Sequence, residues 1–126
     1  MIYLASPYSH SDPAVREQRN RVACQTAAAL LRAGHATFSP IVHSHPLVEH
    51  GLPTEWEFWQ QVDRRFLAAC DVVVVLMLDG WRESVGVQTE IRIARELGKP
   101  IRCVEPTLTE SAGTPTLAHV AAEVAS

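Results

Sequence analysis

Two carboxylates, Asp63 and Glu90, lie within apolar helical patterns, Asp63 beside Val62, Phe66 and Leu67, and Glu90 shortly after Ser84-Val85-Gly86. Two carboxyl groups in unlike surroundings can serve as an ionised and a protonated partner at one pH. Hydroxyl, imidazole and indole groups gather after three apolar runs: Ser6, Tyr8, Ser9 and His10; then His43, Ser44 and His45; then Asp79, Trp81 and Ser84 with Gly86. These types bind sugars, phosphates or base edges through hydrogen bonds and stacking. The spacing His43-x-His45, with His50 nearby, has no convincing third and fourth ligand, so neither a metal nor a cofactor is expected. The glycine-rich dinucleotide and P-loop fingerprints are absent, as are the zinc-deaminase signature and the G-x-S-x-G elbow.

The hydrophobic period shows which elements would carry these groups. Residues 2–5 read as a buried strand that ends at Ser6-Pro7. Asp12 reads as the N-cap and Pro13 as the first residue of a helix with the stripe Val15, Val22, Ala23, Thr26, Ala27, Leu30 and Leu31, stopped by Gly34. Residues 36–39 predict a second strand closed by Pro40. The stretch 41–53, with its histidines, Pro46, Gly51 and Pro53, reads as a long functional loop. Thr54 and Glu57 suggest a capping box for a helix reaching about Ala69 and carrying Trp56 and Trp59. The strongest strand spans 71–78, a helix follows from about Ser84 to Leu97, and 100–104 forms a fourth strand. Residues 105–115 are rich in turn formers, and 117–124 suggest a weak terminal helix.

This order predicts one doubly wound α/β domain over residues 1–126, flavodoxin- or Rossmann-like, with three layers and a mainly parallel sheet of four to five strands. Ligands of such sheets sit beyond the carboxyl ends of the strands, where strand order reverses, which is where the three polar clusters fall.

Composition narrows the partners. The chain has 126 residues, 47% of them hydrophobic, a net charge of −3 and a pI near 6.0. That balance argues against a non-specific grip on a nucleic-acid polymer. No apolar run approaches membrane-spanning length, and the start carries no basic signal-like region. Cys24, Cys70 and Cys103 are unpaired in spacing and read as buried, reduced thiols, so a cytoplasmic location is expected.

Met1-Ile2-Tyr3-Leu4-Ala5-Ser6-Pro7-Tyr8-Ser9, Asp63 before Cys70-Asp71-Val72-Val73-Val74, and Ser84-Val85-Gly86 leading to Glu90 together resemble the nucleoside 2-deoxyribosyltransferase superfamily, including its nucleotide N-hydrolase branch. Within it, the Ser-Pro-Tyr-Ser opening and the His-Ser-His-Pro segment resemble small bacterial domains of the DUF1937 type. The resemblance covers about residues 1–104. It implies Glu90 as nucleophile, Asp63 as the second acidic residue and Tyr3 as the group orienting Glu90. It sets Ser84 where the hydrolases bind phosphate, and so favours phosphorylated substrates. The expected ligand is a small nucleoside or nucleotide, contacted by Ser6, Tyr8, Ser9, His43, His45, Trp81, Ser84 and Gly86. Trp81 is the aromatic expected to stack on a base. One position departs from the pattern: Gln88 stands where that branch has glycine, and its side chain is expected to crowd the sugar pocket. The resemblance also implies a homodimer or homotetramer.

Other readings stay open on the residues alone. Glu90 and Asp63 also suit a helix surface, Tyr3 a core aromatic, Trp56 and Trp59 core packing or a subunit contact, and Arg16, Arg19 and Arg21 a solvated face. Three functions compete: an N-glycosidase or transferase, a non-catalytic nucleotide-binding module, and an interaction domain. Base release and ligand-induced stabilisation separate them.

Overall fold

The computed structural model describes residues 1–106. Four strands, β1 (Ile2–Ala5), β2 (Thr37–Phe38), β3 (Val72–Leu76) and β4 (Ile101–Val104), form an all-parallel sheet in the order β2-β1-β3-β4. The helices are α1 (Pro13–Arg32), α2 (Pro40–Val48), α3 (Trp56–Ala69) and α4 (Val85–Glu96). This is the expected α/β architecture, flavodoxin-like in strand order. The chain steps outward from β1 to β2 and then returns to the other side of β1 as β3. The switch point therefore lies between β1 and β3, paired in register from Ile2 opposite Val72 to Ala5 opposite Val75. The expected helix over 117–124 lies outside the described residues.

Side-chain alternation along β1 divides the core. Ile2 and Leu4 pack with Val74, Leu76 and Val104 against Ala27 and Leu30 of α1. Tyr3 and Ala5 face the other way, with Val73, Val75, Ile101 and Cys103, against Leu67 of α3 and Val87, Ile91 and Ala94 of α4. Cys70 and Cys103 are buried and Cys24 is partly exposed; all three thiols are free. Among the described residues no helix is long and apolar enough to cross a membrane.

Local chemistry sets the boundaries. The Asp12 carboxylate accepts from the Ala14 amide at 2.9 Å and Pro13 opens α1, as expected. Three expectations are corrected. The stretch after β2 is a helix: Ser39 caps α2 by accepting from the Val42 amide at 3.2 Å, and Pro40 is its first residue. Pro40 therefore opens a helix, and Pro46 is tolerated near its end. The Thr54/Glu57 capping box is not formed. Instead the Ser9 hydroxyl donates to the Thr54 carbonyl at 3.0 Å, the Trp59 indole donates to the Pro53 carbonyl at 2.7 Å, and α3 begins at Trp56 without a side-chain cap. Finally, β3 stops at Leu76, short of the expected Leu78. The Leu78 amide turns back to the Leu76 carbonyl at 2.8 Å, and Gly80 takes a φ of 93°.

Candidate active site

Tyr3 is the central-strand residue that points at the α3/α4 layer, and a carboxylate from each helix meets the same layer. The buried stripe of α3 runs Trp59, Asp63, Leu67, and that of α4 runs Val87, Glu90, Ile91, Ala94. Asp63 and Glu90 thus hold positions where an amphipathic helix normally places an apolar side chain. Asp63 is 8% exposed, Glu90 4% and Tyr3 0%. The Tyr3 hydroxyl donates to Glu90 Oε2 in a short hydrogen bond.

Burial governs the electrostatics. Loss of solvent pushes the Asp63 carboxyl up to about 7. It pushes Glu90 up to about 8, a rise that Tyr3 opposes through its hydrogen bond and that the neighbouring Asp63 charge reinforces. Tyr3 itself is raised well above its ordinary range, by burial first and then by the Glu90 and Asp63 charges. The carboxyl groups interact, so they titrate as a pair that holds one proton near neutral pH.

Both carboxyl groups open onto a cavity of about 460 Å³ at the carboxyl ends of β1 and β3. That volume falls within the range that holds a nucleoside-sized molecule. Of the sequence candidates, Ser6, Tyr8, Ser9, Asp63, Ser84, Gly86 and Glu90 line it, while Tyr3 lies beneath Glu90. Ser84 caps α4 by accepting from the Val87 amide at 3.2 Å. This places its hydroxyl and the first amides of α4 together at the positive end of the helix dipole.

Three expected contacts lie elsewhere. His43 is outside the lining and joins an aromatic cluster with Phe38 and Phe66, whose rings stack at 4.2 Å. His45 is also outside it and backs Tyr8: its Nδ1 is 2.7 Å from the Tyr8 hydroxyl, and its Nε2 is 3.0 Å from Glu17. Trp81 packs against the α3/α4 core cluster, with the Arg82 guanidinium 4.8 Å above its ring, and does not line the main cavity. Among the described residues no group of three His, Cys, Asp or Glu is placed to hold a metal.

Gln88 does not crowd the cavity. It is exposed and reaches back to the Trp81 carbonyl at 3.4 Å. Arg16 donates to the His10 carbonyl at 2.5 Å and stays off the lining.

Residues that the sequence left on a surface or in the core complete the walls. Arg19 enters from α1 and donates to the carbonyls of Ser9 at 3.1 Å and Asp79 at 3.4 Å, tying together the loops after β1 and β3. Trp56 and Trp59 line the cavity as well, as do Ser44 of α2 and Glu55, Glu57 and Glu83. One signal was available in the sequence: Trp56 sits two turns before Asp63, so a carboxylate facing the cavity brings that indole near the same side.

The model of a family described as "Domain of unknown function (DUF1937)" matches residues 1–105. A solved structure, a 2-deoxyribosyltransferase from the psychrotolerant bacterium Bacillus psychrosaccharolyticus, is similar with a TM-score of 0.59 at 30% identity. The match covers 83% of this chain and 72% of that one, which is described as a biocatalyst for the synthesis of antiviral and antitumoral nucleosides. No curated protein matches.

Proposed function

The chain belongs to the DUF1937 family and is nucleoside 2-deoxyribosyltransferase-like, and from that premise we propose that it cleaves or transfers at the N-glycosidic bond of a nucleoside or nucleoside 5'-monophosphate, with Glu90 as nucleophile. One observation carries the reading: a buried Tyr3–Glu90–Asp63 constellation beneath a nucleoside-sized cavity at the switch point of the sheet.

The chemistry requires one ionised and one protonated carboxyl group. Breaking an N-glycosidic bond builds positive charge on the anomeric carbon, which a carboxylate below the sugar stabilises and then traps as a glycosyl ester. Positive charge above Glu90 draws the ionised form to that residue, and the Tyr3 hydroxyl supports it by donation. The remaining proton then resides on Asp63, whose burial keeps it protonated near neutral pH. From there it can pass to the departing base. Water, or a second base, finally takes the sugar from Glu90. Ser84 and the first α4 amides offer a hydrogen-bonding seat for the 5' end.

The test is chromatography of free base after incubation with deoxynucleosides and deoxynucleoside 5'-monophosphates, with Glu90→Gln as control. The reading expects base release that the variant lacks, and an added second base separates transfer from hydrolysis. Binding of the same compounds without release would replace it with the non-catalytic module.

A further inference from the structure

The charge on the cavity wall is unlike what an anionic substrate needs. Glu55, Glu57 and Glu83 line it above the Asp63/Glu90 floor, and Arg19 is the only lining cation among the described residues. Arg19 already gives hydrogen bonds to two carbonyls. Trp56 also leans on the α4 N-terminus: its Cε3 stands 3.4 Å from where a Cβ on Gly86 would lie. Part of the approach to those amides is therefore covered by an indole. That indole is partly exposed and shares the cavity wall with Glu55 and Glu57, its neighbours in the chain, surroundings that attract a delocalised cation. An independent observation marks a ligand here. The Ser6 residue is 4% exposed and lines the cavity, yet its Oγ has no hydrogen-bond partner among the described residues. A buried hydroxyl in that state is costly until a ligand supplies the partner.

We propose that the cavity takes nucleosides whose base is positively charged, such as N-alkylated purines, in preference to neutral nucleosides and to 5'-monophosphates. Trp56 faces the base, the three glutamates offset its charge, and Ser6 bonds a polar group of the ligand. The proposal rests on the N-glycosidic reading above and names its substrate class. The chemistry balances without a proton from Asp63. The C1'–N bond breaks with its electron pair passing to the ring nitrogen, which neutralises the base, while C1' bonds to Glu90. Water then attacks C1', giving the free sugar, the Glu90 carboxylate and one proton.

The experiment compares kcat/KM for base release from 1-methyl-2'-deoxyadenosine, cationic at neutral pH, with 2'-deoxyadenosine and 2'-deoxyadenosine 5'-monophosphate. The expected order is cation, neutral, anion, with steps of about tenfold that shrink as salt is added. Trp56→Leu and, as a milder variant, Glu57→Gln should each reduce the cation's advantage. Ser6→Ala should raise KM while leaving the melting temperature of the empty protein equal or higher, since it removes an unpaired buried hydroxyl. Equal kcat/KM values, or a monophosphate as good as the neutral nucleoside, would overturn the proposal and leave the N-glycosidic reading standing. Absence of base release from all three overturns both.

Discussion

The carboxyl pair makes Glu90 and Asp63 useful for chemistry and costly for stability, and both effects can be measured. With a neutral nucleoside the proposed mechanism uses the singly protonated pair, so kcat/KM for that substrate should follow a bell with limbs near 7 and 8. Below the lower limb no nucleophile is ionised, and above the upper limb no acid remains. Glu90→Gln keeps the shape of the side chain and should lower turnover on the order of a thousandfold. Tyr3→Phe keeps the ring packed in the core but removes the donor that favours ionised Glu90. The limb near 8, which Glu90 sets, should move to higher pH with a loss of about ten- to a hundredfold in rate, whereas a purely structural Tyr3 would leave that limb in place.

At the scale of elements, the cavity depends on how loops and helix ends are pinned. Ser84 caps α4, and Ser84→Ala should cost about 1 kcal/mol in urea unfolding, with Ser84→Gly costing only a few tenths. The loop after β3 depends on Gly80, whose φ of 93° suits glycine and whose Cβ position lies 2.7 Å from an Arg19 nitrogen. Gly34 has a similar φ of 96° with nothing within 4 Å. Gly34→Ala should therefore cost about 1 kcal/mol of backbone strain. Gly80→Ala should cost more and also weaken ligand binding, because Arg19 must move. Equal costs and unchanged binding would show that Arg19 plays no part in holding the cavity. The difference between these sites was not legible in the sequence, where each is a glycine after an apolar element.

For the whole molecule, the pair predicts how stability changes with pH. In the fold both carboxyl groups bind protons more tightly than in the unfolded chain, Glu90 rising from 4.5 to about 8. The native state therefore holds more protons between those values, and stability should fall as pH rises through that window. The total loss over the pair is on the order of 10 kcal/mol as an upper bound. Glu90→Gln should flatten the slope and raise the melting temperature most at the alkaline end; a flat wild-type profile would refute the buried pair. The resemblance implies a homodimer or homotetramer, and Phe58 and Phe66 on α3, 45% and 37% exposed, would suit such a contact better than Trp56 or Trp59, which line the cavity. Sedimentation of the wild type beside Phe58→Ser tests that implication: an oligomeric wild type and a smaller variant are expected, and a monomeric wild type would overturn it.

The sequence alone carried the continuously apolar, buried strands, the Asp12-Pro13 and Ser84 helix starts, the parallel α/β class, and both carboxylates of the candidate site. Those features are local, because each depends on side-chain spacing and on backbone groups within a turn of one another. The sequence did not carry the end of the Thr54 segment, the helix built from the histidine-rich stretch, or the places of Trp56, Trp81 and Arg19. Bonds from Ser9 and Trp59 hold residues 53–54 out of α3, and Arg19 reaches loops far along the chain. The Ser9–Thr54 and Arg19–Asp79 bonds join parts of the chain 45 and 60 residues apart, which only the parallel sheet brings together. The environment of Glu90 belongs to the same class: a lone helical glutamate reads as solvated, and only Tyr3 beneath it, Asp63 beside it and the closure of α3 on α4 remove the water that would keep it an ordinary acid.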